Sequence, residues 1–151
     1  MGRMSGVDRT TQLGHLARRL QQANTSLWHA LVSEETTSPQ FAVLNAVAES
    51  EDADQRTVGE LIGLDRSTTA EIVTRLAGRG LLRRVRDPRD GRRNLLRLTE
   101  DGTAAHQELA RRAARMNQVF LAPLDPGEQK VLLDLMWRVV TAADDLKPLC
   151  A

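Results

Sequence analysis

A chain of 151 residues with 41% hydrophobic and 27% charged residues suits one globular domain and excludes disordered and fibrous proteins. No apolar run approaches the roughly 20 residues of a membrane span, and the N-terminal segment has no signal-peptide core, so we expect a cytoplasmic protein without a membrane partner. The single cysteine, Cys150, excludes an intramolecular disulfide.

The segment from about Asp8 to Glu34 favours a helix. Apolar residues at period 3.6 predict a buried face: Leu13, Leu16, Leu20, Ala23, Leu27 and Leu31. A second, narrower stripe lies on the other side of this helix: Gly14, Arg18, Gln21, Thr25, Trp28 and Val32. A helix with two such sides is predicted to lie between two bodies.

The next helix is predicted to start at Ser38, as an N-cap followed by proline. The acidic stretch 49–55 predicts a loop, and Thr57 and Glu60 have the spacing of a capping box that starts a short helix. Residues 63–65 then form a tight turn into a helix with one apolar face, whose apolar residues recur at helical spacing within 66–81. Two helices joined by a short turn that contains glycine are typical of a helix-turn-helix.

Gly80 is suited to a left-handed helix end, and residues 81–86 alternate as a strand. Asp90-Gly91 is a strong turn signal, and residues 94–98 form the predicted return strand. Thr99 is predicted to cap the following helix.

Residues 100–121 are predicted to form one long helix, and the break at 124–128 has the form of a capping box between Asp125 and Glu128. The last helix is predicted to end near Leu146. The two chain ends carry more apolar surface than a small domain can cover, which predicts burial against a second copy of the chain.

Residues 65–97 contain ten arginines and four acidic residues, a net charge of +6 in a chain whose total is +1. A basic patch that coincides with a helix-turn-helix is expected of a module that meets a phosphate backbone. The alternative is a solvated surface hairpin.

Several motifs are similar to those of the MarR family of winged helix-turn-helix regulators: D-P-R-D-G-R-R at 87–93, L-T-E-D-G at 98–102, L-D-R-S-T-T at 64–69 and G-L-L at 80–82. The resemblance implies a mainly α (α+β) fold with a two-stranded wing, in a single domain over 1–151. It implies a DNA-binding region at 38–102 and dimerisation helices at 8–34 and 103–147. Two copies would bind a pseudo-palindromic double-stranded DNA operator.

The resemblance also implies DNA contacts. Arg66, Ser67, Thr68 and Thr69 match the start of the recognition helix, and Arg75 follows on its exposed face. In the wing, Arg92 matches the residue that enters the minor groove, Asp90 orients it, and Arg89 and Arg93 meet phosphates. Glu71 either faces the DNA or completes a capping box with Thr68.

Many members of this family bind small aromatic acids between the first helix and the winged domain. Residues 15–28 resemble the first helix of protocatechuate-responsive repressors, in which release from DNA follows binding of a phenolic or aromatic carboxylate. The ligand-binding residues so implied are Arg18, His15, Asn24, Trp28 and Met116. The alternatives are ordinary surface or capping roles for His15 and Asn24, and core positions for Trp28 and Met116. Arg18 would anchor the carboxylate; the alternative is an ion pair with a glutamate across the dimer.

No nucleophile elbow, P-loop or dinucleotide-binding turn is present, so we do not expect an enzyme. The three histidines lack partners at metal-ligand spacing, so neither a metal site nor a cofactor is expected. A winged-helix protein-protein adaptor without DNA binding is the remaining alternative, as is a MarR-type regulator with a different ligand or none.

Overall fold

The computed structural model describes residues 9–146, and it contains six helices and one two-stranded sheet over that range. The elements, in chain order, are α1 (Arg9–Leu31), α2 (Ser38–Glu49), α3 (Gln55–Ile62), α4 (Arg66–Gly78), β1 (Leu82–Arg86), β2 (Asn94–Leu98), α5 (Glu100–Leu121) and α6 (Pro126–Leu146). This architecture confirms the mainly helical class with a β wing between the fourth and fifth helices. Asp8, where the first helix was predicted to begin, and Cys150 lie outside the described residues.

Two predicted helix starts are shifted. Thr37, not Ser38, caps α2: its hydroxyl accepts from the Gln40 backbone N–H at 3.3 Å, and the Gln40 side chain accepts from the Thr37 N–H at 3.1 Å. The capping box predicted at Thr57 is also wrong, because α3 starts earlier. The Asp54 carboxylate accepts from the Thr57 N–H at 2.7 Å and takes the capping role.

The wing is a hairpin in which β1 and β2 pair antiparallel, with Leu82 opposite Leu98 and Arg86 opposite Asn94. The predicted loop before α3 contributes to this sheet. The Leu96 N–H donates to the Ala53 carbonyl at 2.6 Å, and Asp54 forms an isolated bridge with Leu95. The base of the wing is therefore attached to the segment that starts α3.

The junction between α4, the wing and α5 is tightly packed. Gly80 has φ +73°, which confirms the left-handed turn after α4. Thr99 caps α5 as predicted, accepting from the Gly102 N–H at 2.9 Å, and its hydroxyl donates to the Gly80 carbonyl at 2.5 Å. A Cβ on Gly102 would lie 1.9 Å from the Leu81 carbonyl oxygen, so only glycine fits there.

The core of the described chain lies where α2, α3, α4, the wing and α5 meet the C-terminal end of α1. Its fully buried side chains include Leu44, Val58, Val73, Leu76 and Leu96. From α1, this core receives Trp28 (4% exposed) and Val32 (2% exposed), which belong to the second, narrower stripe. The C-terminal part of that stripe therefore packs against the winged region, whereas Gly14, Arg18, Gln21 and Thr25 are exposed.

The first stripe of α1 is exposed over most of its length, contrary to the buried face predicted for it; only Ala23 and Leu27 are half-buried, and Leu27 packs against the core. Leu13 is 67% and Leu16 is 58% exposed, because no element of the described chain covers that side. α6 buries none of its residues, and Trp137 is 73% exposed. None of the helices between residues 9 and 146 combines the length and the apolarity that crossing a bilayer requires.

Candidate DNA interface and ligand cleft

Asp65 organises the start of α4. Its carboxylate accepts from the Thr68 N–H at 2.9 Å, the Thr68 hydroxyl at 2.6 Å and the Ser67 hydroxyl at 2.7 Å. These hydrogen bonds, with that of the Thr68 hydroxyl the strongest, hold the pKa of Asp65 well below its usual range. Asp65 therefore stays ionised, and Ser67 and Thr68 donate to it.

This cap changes the predicted roles around it. Thr69 is only 1% exposed, so its predicted DNA contact is wrong: its hydroxyl donates to the Asp65 carbonyl, and it packs against α3 at Gly59. The capping box considered for Glu71 is wrong as well, because Asp65 is the cap. Glu71 instead pairs with Arg75 at 3.6 Å on the exposed face of α4.

The wing tip is closed by backbone contacts of two aspartates. Asp90 accepts from the Arg92 N–H at 3.1 Å, so it orients the backbone of Arg92 rather than its guanidinium. Asp87 is 3% exposed and accepts from the Arg89 N–H at 2.8 Å. That hydrogen bond, followed by the charges of Arg89 and Arg93, lowers the pKa of Asp87.

Arg89 and Arg93, predicted to meet phosphates, have intramolecular partners in the structure. Arg93 donates to the Asp54 carboxylate at 2.6 Å and to the Asp52 carbonyl at 3.3 Å, and Arg89 pairs with the Asp52 carboxylate. Burial raises the pKa of Asp54, but hydrogen bonds from Thr57 and Arg93 outweigh it and lower the pKa. Through these ion pairs, both arginines connect the wing to the segment at the start of α3.

Arg66 and Arg92 are different, because both are exposed and neither guanidinium has a partner among the described residues. Both line a groove of about 740 Å³, Arg66 from the start of α4 and Arg92 from the wing, and its lining also includes Arg93, Asn94 and the acidic Asp54 and Glu60. A groove with unpaired arginines from both elements is suited to a polyanion.

A second cleft, of about 690 Å³, lies between α1, α2, the end of α3 and α5. Asn24, Trp28 and Met116, three of the predicted ligand residues, lie on its wall. The other two do not: Arg18 and His15 are exposed further along α1, and the described lining contains no arginine, lysine or histidine.

The walls of this cleft combine aromatic surface with amide groups. Trp28 packs on Phe41 with ring centroids 5.4 Å apart, and Phe41 stacks on His106 at 5.8 Å. Asn45 lies at hydrogen-bond distance, 2.9 Å, from a ring nitrogen of His106. The lining residues that sequence reasoning missed include Ser38, Phe41, Asn45, Leu61, Ile62 and Asn117.

One of these could have been found from the sequence. Asn45 is a polar residue in a helix whose buried positions are apolar except for Gln40, and it stands one turn after Phe41. Leu61 and Ile62 carried no such signal, because apolar residues in a short amphipathic helix predict only packing.

The comparisons with known proteins agree with this architecture. A model described as MarR family matches residues 36–93. The PcaV transcriptional regulator of Streptomyces coelicolor, solved in complex with its natural ligand, is 64% identical with a TM-score of 0.84, and the match covers 93% of this chain and 99% of that one. The chain belongs to the MarR family.

Two further relatives share less sequence but most of their length. The HTH-type transcriptional repressor NicR of Pseudomonas putida is 28% identical over 91% of this chain and 88% of its own. BpsR of Bordetella bronchiseptica, whose structure concerns regulation of DNA binding by 6-hydroxynicotinic acid, is 29% identical with a TM-score of 0.77, over 85% of this chain and 98% of that one. This MarR-family chain is therefore a transcriptional regulator, and its relatives are not enzymes.

Proposed function

We propose that the protein is a homodimeric DNA-binding repressor that leaves a pseudo-palindromic operator when a small aromatic carboxylic acid binds in the cleft of α1, α2 and α5. The observation that carries the DNA-binding part is the groove between Arg66 and Arg92, whose guanidinium groups have no partner among residues 9–146. Repression is supported by NicR, which is named a repressor. No cofactor takes part in this proposal.

Two copies are proposed because the apolar faces at the two chain ends have no cover within the described chain. In α6, Leu133, Leu135, Val139 and Val140 are each 50–58% exposed. Burial of such surface stabilises by about 25 cal/mol per Å². A two-fold dimer would present two copies of α4 to successive turns of DNA.

The aromatic part of the ligand is supported by Trp28, Phe41 and Met116 around the cleft, and its polar substituents by the amides of Asn24, Asn45 and Asn117. BpsR, which is regulated by a hydroxylated aromatic acid, supports the same class. Because the described lining holds no cation, the carboxylate needs a charge from beside it. We assign that role to Arg18, which lies six residues before Asn24 on α1, about 9 Å along the helix axis.

The test is a fluorescence anisotropy titration of a labelled duplex from upstream of the protein's own gene. It is run with and without benzoate, protocatechuate and 6-hydroxynicotinic acid. We expect nanomolar binding that at least one acid weakens, and an Arg18→Ala variant that binds the duplex but no longer responds. Arg19→Ala, an exposed arginine on the same helix, is the matched control.

Each outcome decides one part of the proposal. Binding that none of the acids affects would contradict the ligand class and leave the DNA-binding part standing. An Arg18→Ala variant that responds like Arg19→Ala would remove Arg18 from the site. No specific binding even at low salt would contradict the whole proposal and favour a protein-protein adaptor.

A further inference from the structure

Thr36, in the loop between α1 and α2, contacts both the ligand cleft and the end of the recognition helix α4. It is 4% exposed. Its carbonyl accepts from the Trp28 indole N–H at 2.6 Å, and its hydroxyl accepts from the Arg79 guanidinium at 3.1 Å. The same guanidinium donates to the Glu35 carbonyl at 3.5 Å.

The Trp28 side of this connection lies in the cleft wall. The indole packs on Phe41, so a ligand that fills the cleft pushes against the ring that donates to Thr36. Hydrogen bonds weaken steeply when donor and acceptor lose their alignment. A movement of Trp28 therefore either moves Thr36 or breaks a buried hydrogen bond, which costs free energy.

The Arg79 side lies at the point where α4 ends. Arg79 is the C-cap residue directly after α4, its N–H donates to the Arg75 carbonyl at 3.1 Å, and Gly80 follows with a positive φ. A displacement of Arg79 therefore also displaces α4, the helix that lines the groove with Arg66.

We propose that Thr36 is a positioning residue that couples occupation of the cleft to the orientation of α4, through its carbonyl on Trp28 and its hydroxyl on Arg79. The inference rests on the proposed function, because it concerns how the ligand site acts on the DNA site. Coupling of this kind is a free energy shared by two sites, so a change to Thr36 alters the response to ligand more than the affinity of either site alone.

The experiment compares Thr36→Val, which keeps the carbonyl and the shape but loses the hydroxyl, with Thr36→Ser, which keeps the hydroxyl. Thr103→Val is the matched control, since the Thr103 hydroxyl donates only to the Thr99 carbonyl in its own helix. The quantity measured is the ratio of duplex dissociation constants with and without acid. The acid used is protocatechuate or 6-hydroxynicotinic acid, whichever releases the wild-type protein.

We expect Thr36→Val to reduce this ratio about tenfold, the equivalent of about 1.4 kcal/mol, because a hydrogen bond from a charged group is lost. Thr36→Ser and Thr103→Val should keep the wild-type ratio, and the ligand-free affinity should change less than about twofold in all three. A wild-type ratio in Thr36→Val would overturn the inference. Failure of the wild-type protein to bind the duplex would instead overturn the proposed function.

If the protein binds the duplex but neither acid weakens that binding, a second measurement tests the inference. In a Trp137→Phe background, Trp28 is the remaining tryptophan. We expect duplex binding to shift its emission, and Thr36→Val to remove that shift. An equal shift in both proteins, or none in the Trp137→Phe protein, would contradict the coupling.

Discussion

The winged region buries most of its apolar side chains, whereas the last helix exposes them. In residues 37–102, apolar side chains such as Val43, Leu44 and Leu76 are fully buried, and the charges of Asp54 and Arg93 are paired within the region. In α6, all of the large apolar side chains are exposed. The first arrangement is complete within one chain. The second leaves apolar surface in contact with water, which favours burial against another surface. The proposed function assigns DNA to the winged region and a second copy to α6.

The largest effect is expected from a substitution that disrupts the packing inside the winged region. Gly102→Ala places a Cβ against the Leu81 carbonyl and forces the start of α5 away from the wing. We expect the free energy of unfolding to fall by about 3 kcal/mol, measured by urea denaturation.

Gly78→Ala is the matched control. A Cβ there meets no atom within 4 Å, and alanine favours the helix. We expect it to leave stability unchanged or raise it by about 0.5–1 kcal/mol. Equal losses in both variants would show that the contact at Leu81 is not what excludes alanine from residue 102.

A double substitution in α6, Leu135→Glu with Val139→Glu, should separate the copies without unfolding the winged region. Both side chains are at least 50% exposed in the single chain, so charge there is tolerated until a second copy covers them. We expect sedimentation velocity to show monomers where the wild-type protein is dimeric. Thr141→Glu, on the other side of the helix, should remain dimeric; its dissociation to monomers would place the interface elsewhere.

A comparison of two wing arginines distinguishes direct contact with DNA from general electrostatic attraction. Arg92→Ala removes a guanidinium that is free in the described chain, whereas Arg89→Ala removes one that pairs with Asp52. Because the lost charge is the same, a pure field effect would weaken binding equally. We expect Arg92→Ala to weaken duplex binding about tenfold more than Arg89→Ala, measured by anisotropy at fixed salt.

The smallest effect concerns the cap of α4. The pKa of Asp65 is lowered by the hydrogen bonds from Thr68 and Ser67, so its ionised form stabilises the folded chain. This contribution is complete above the unfolded-state pKa of about 4 and is lost progressively as the pH falls from there through the lowered folded-state pKa. Asp65→Ala should therefore lower the urea midpoint at pH 7 and differ less from wild type at pH 3, where part of this contribution is lost. A difference of equal size at both pH values would contradict the carboxylate's role.

The order of elements could be predicted from sequence because turn residues and apolar periods are local signals. The local backbone conformation is determined by single residues or short turns, namely Gly80, Thr99 and Asp90-Gly91. The sequence predicts the wrong cap for α3 because Asp54 and Thr57 both have side chains that can cap a helix. Only the folded backbone determines which of the two lies at the helix start.

The sites were harder to predict because they depend on contacts between distant residues. Nothing near Arg93 in the sequence shows that Asp54, 39 residues earlier, is its partner. In the same way, the stripe on α1 shows that Leu13 and Leu16 are apolar but not whether the chain or a second copy covers them.

The proposed function requires that one chain supplies a complete DNA-binding region and half of a dimer interface. Sedimentation equilibrium of the wild-type protein with a labelled upstream duplex tests it most directly. We predict a complex of two chains per duplex that returns to free duplex when the releasing acid is added. One chain per duplex, or a duplex that sediments alone at low salt, would contradict the claim.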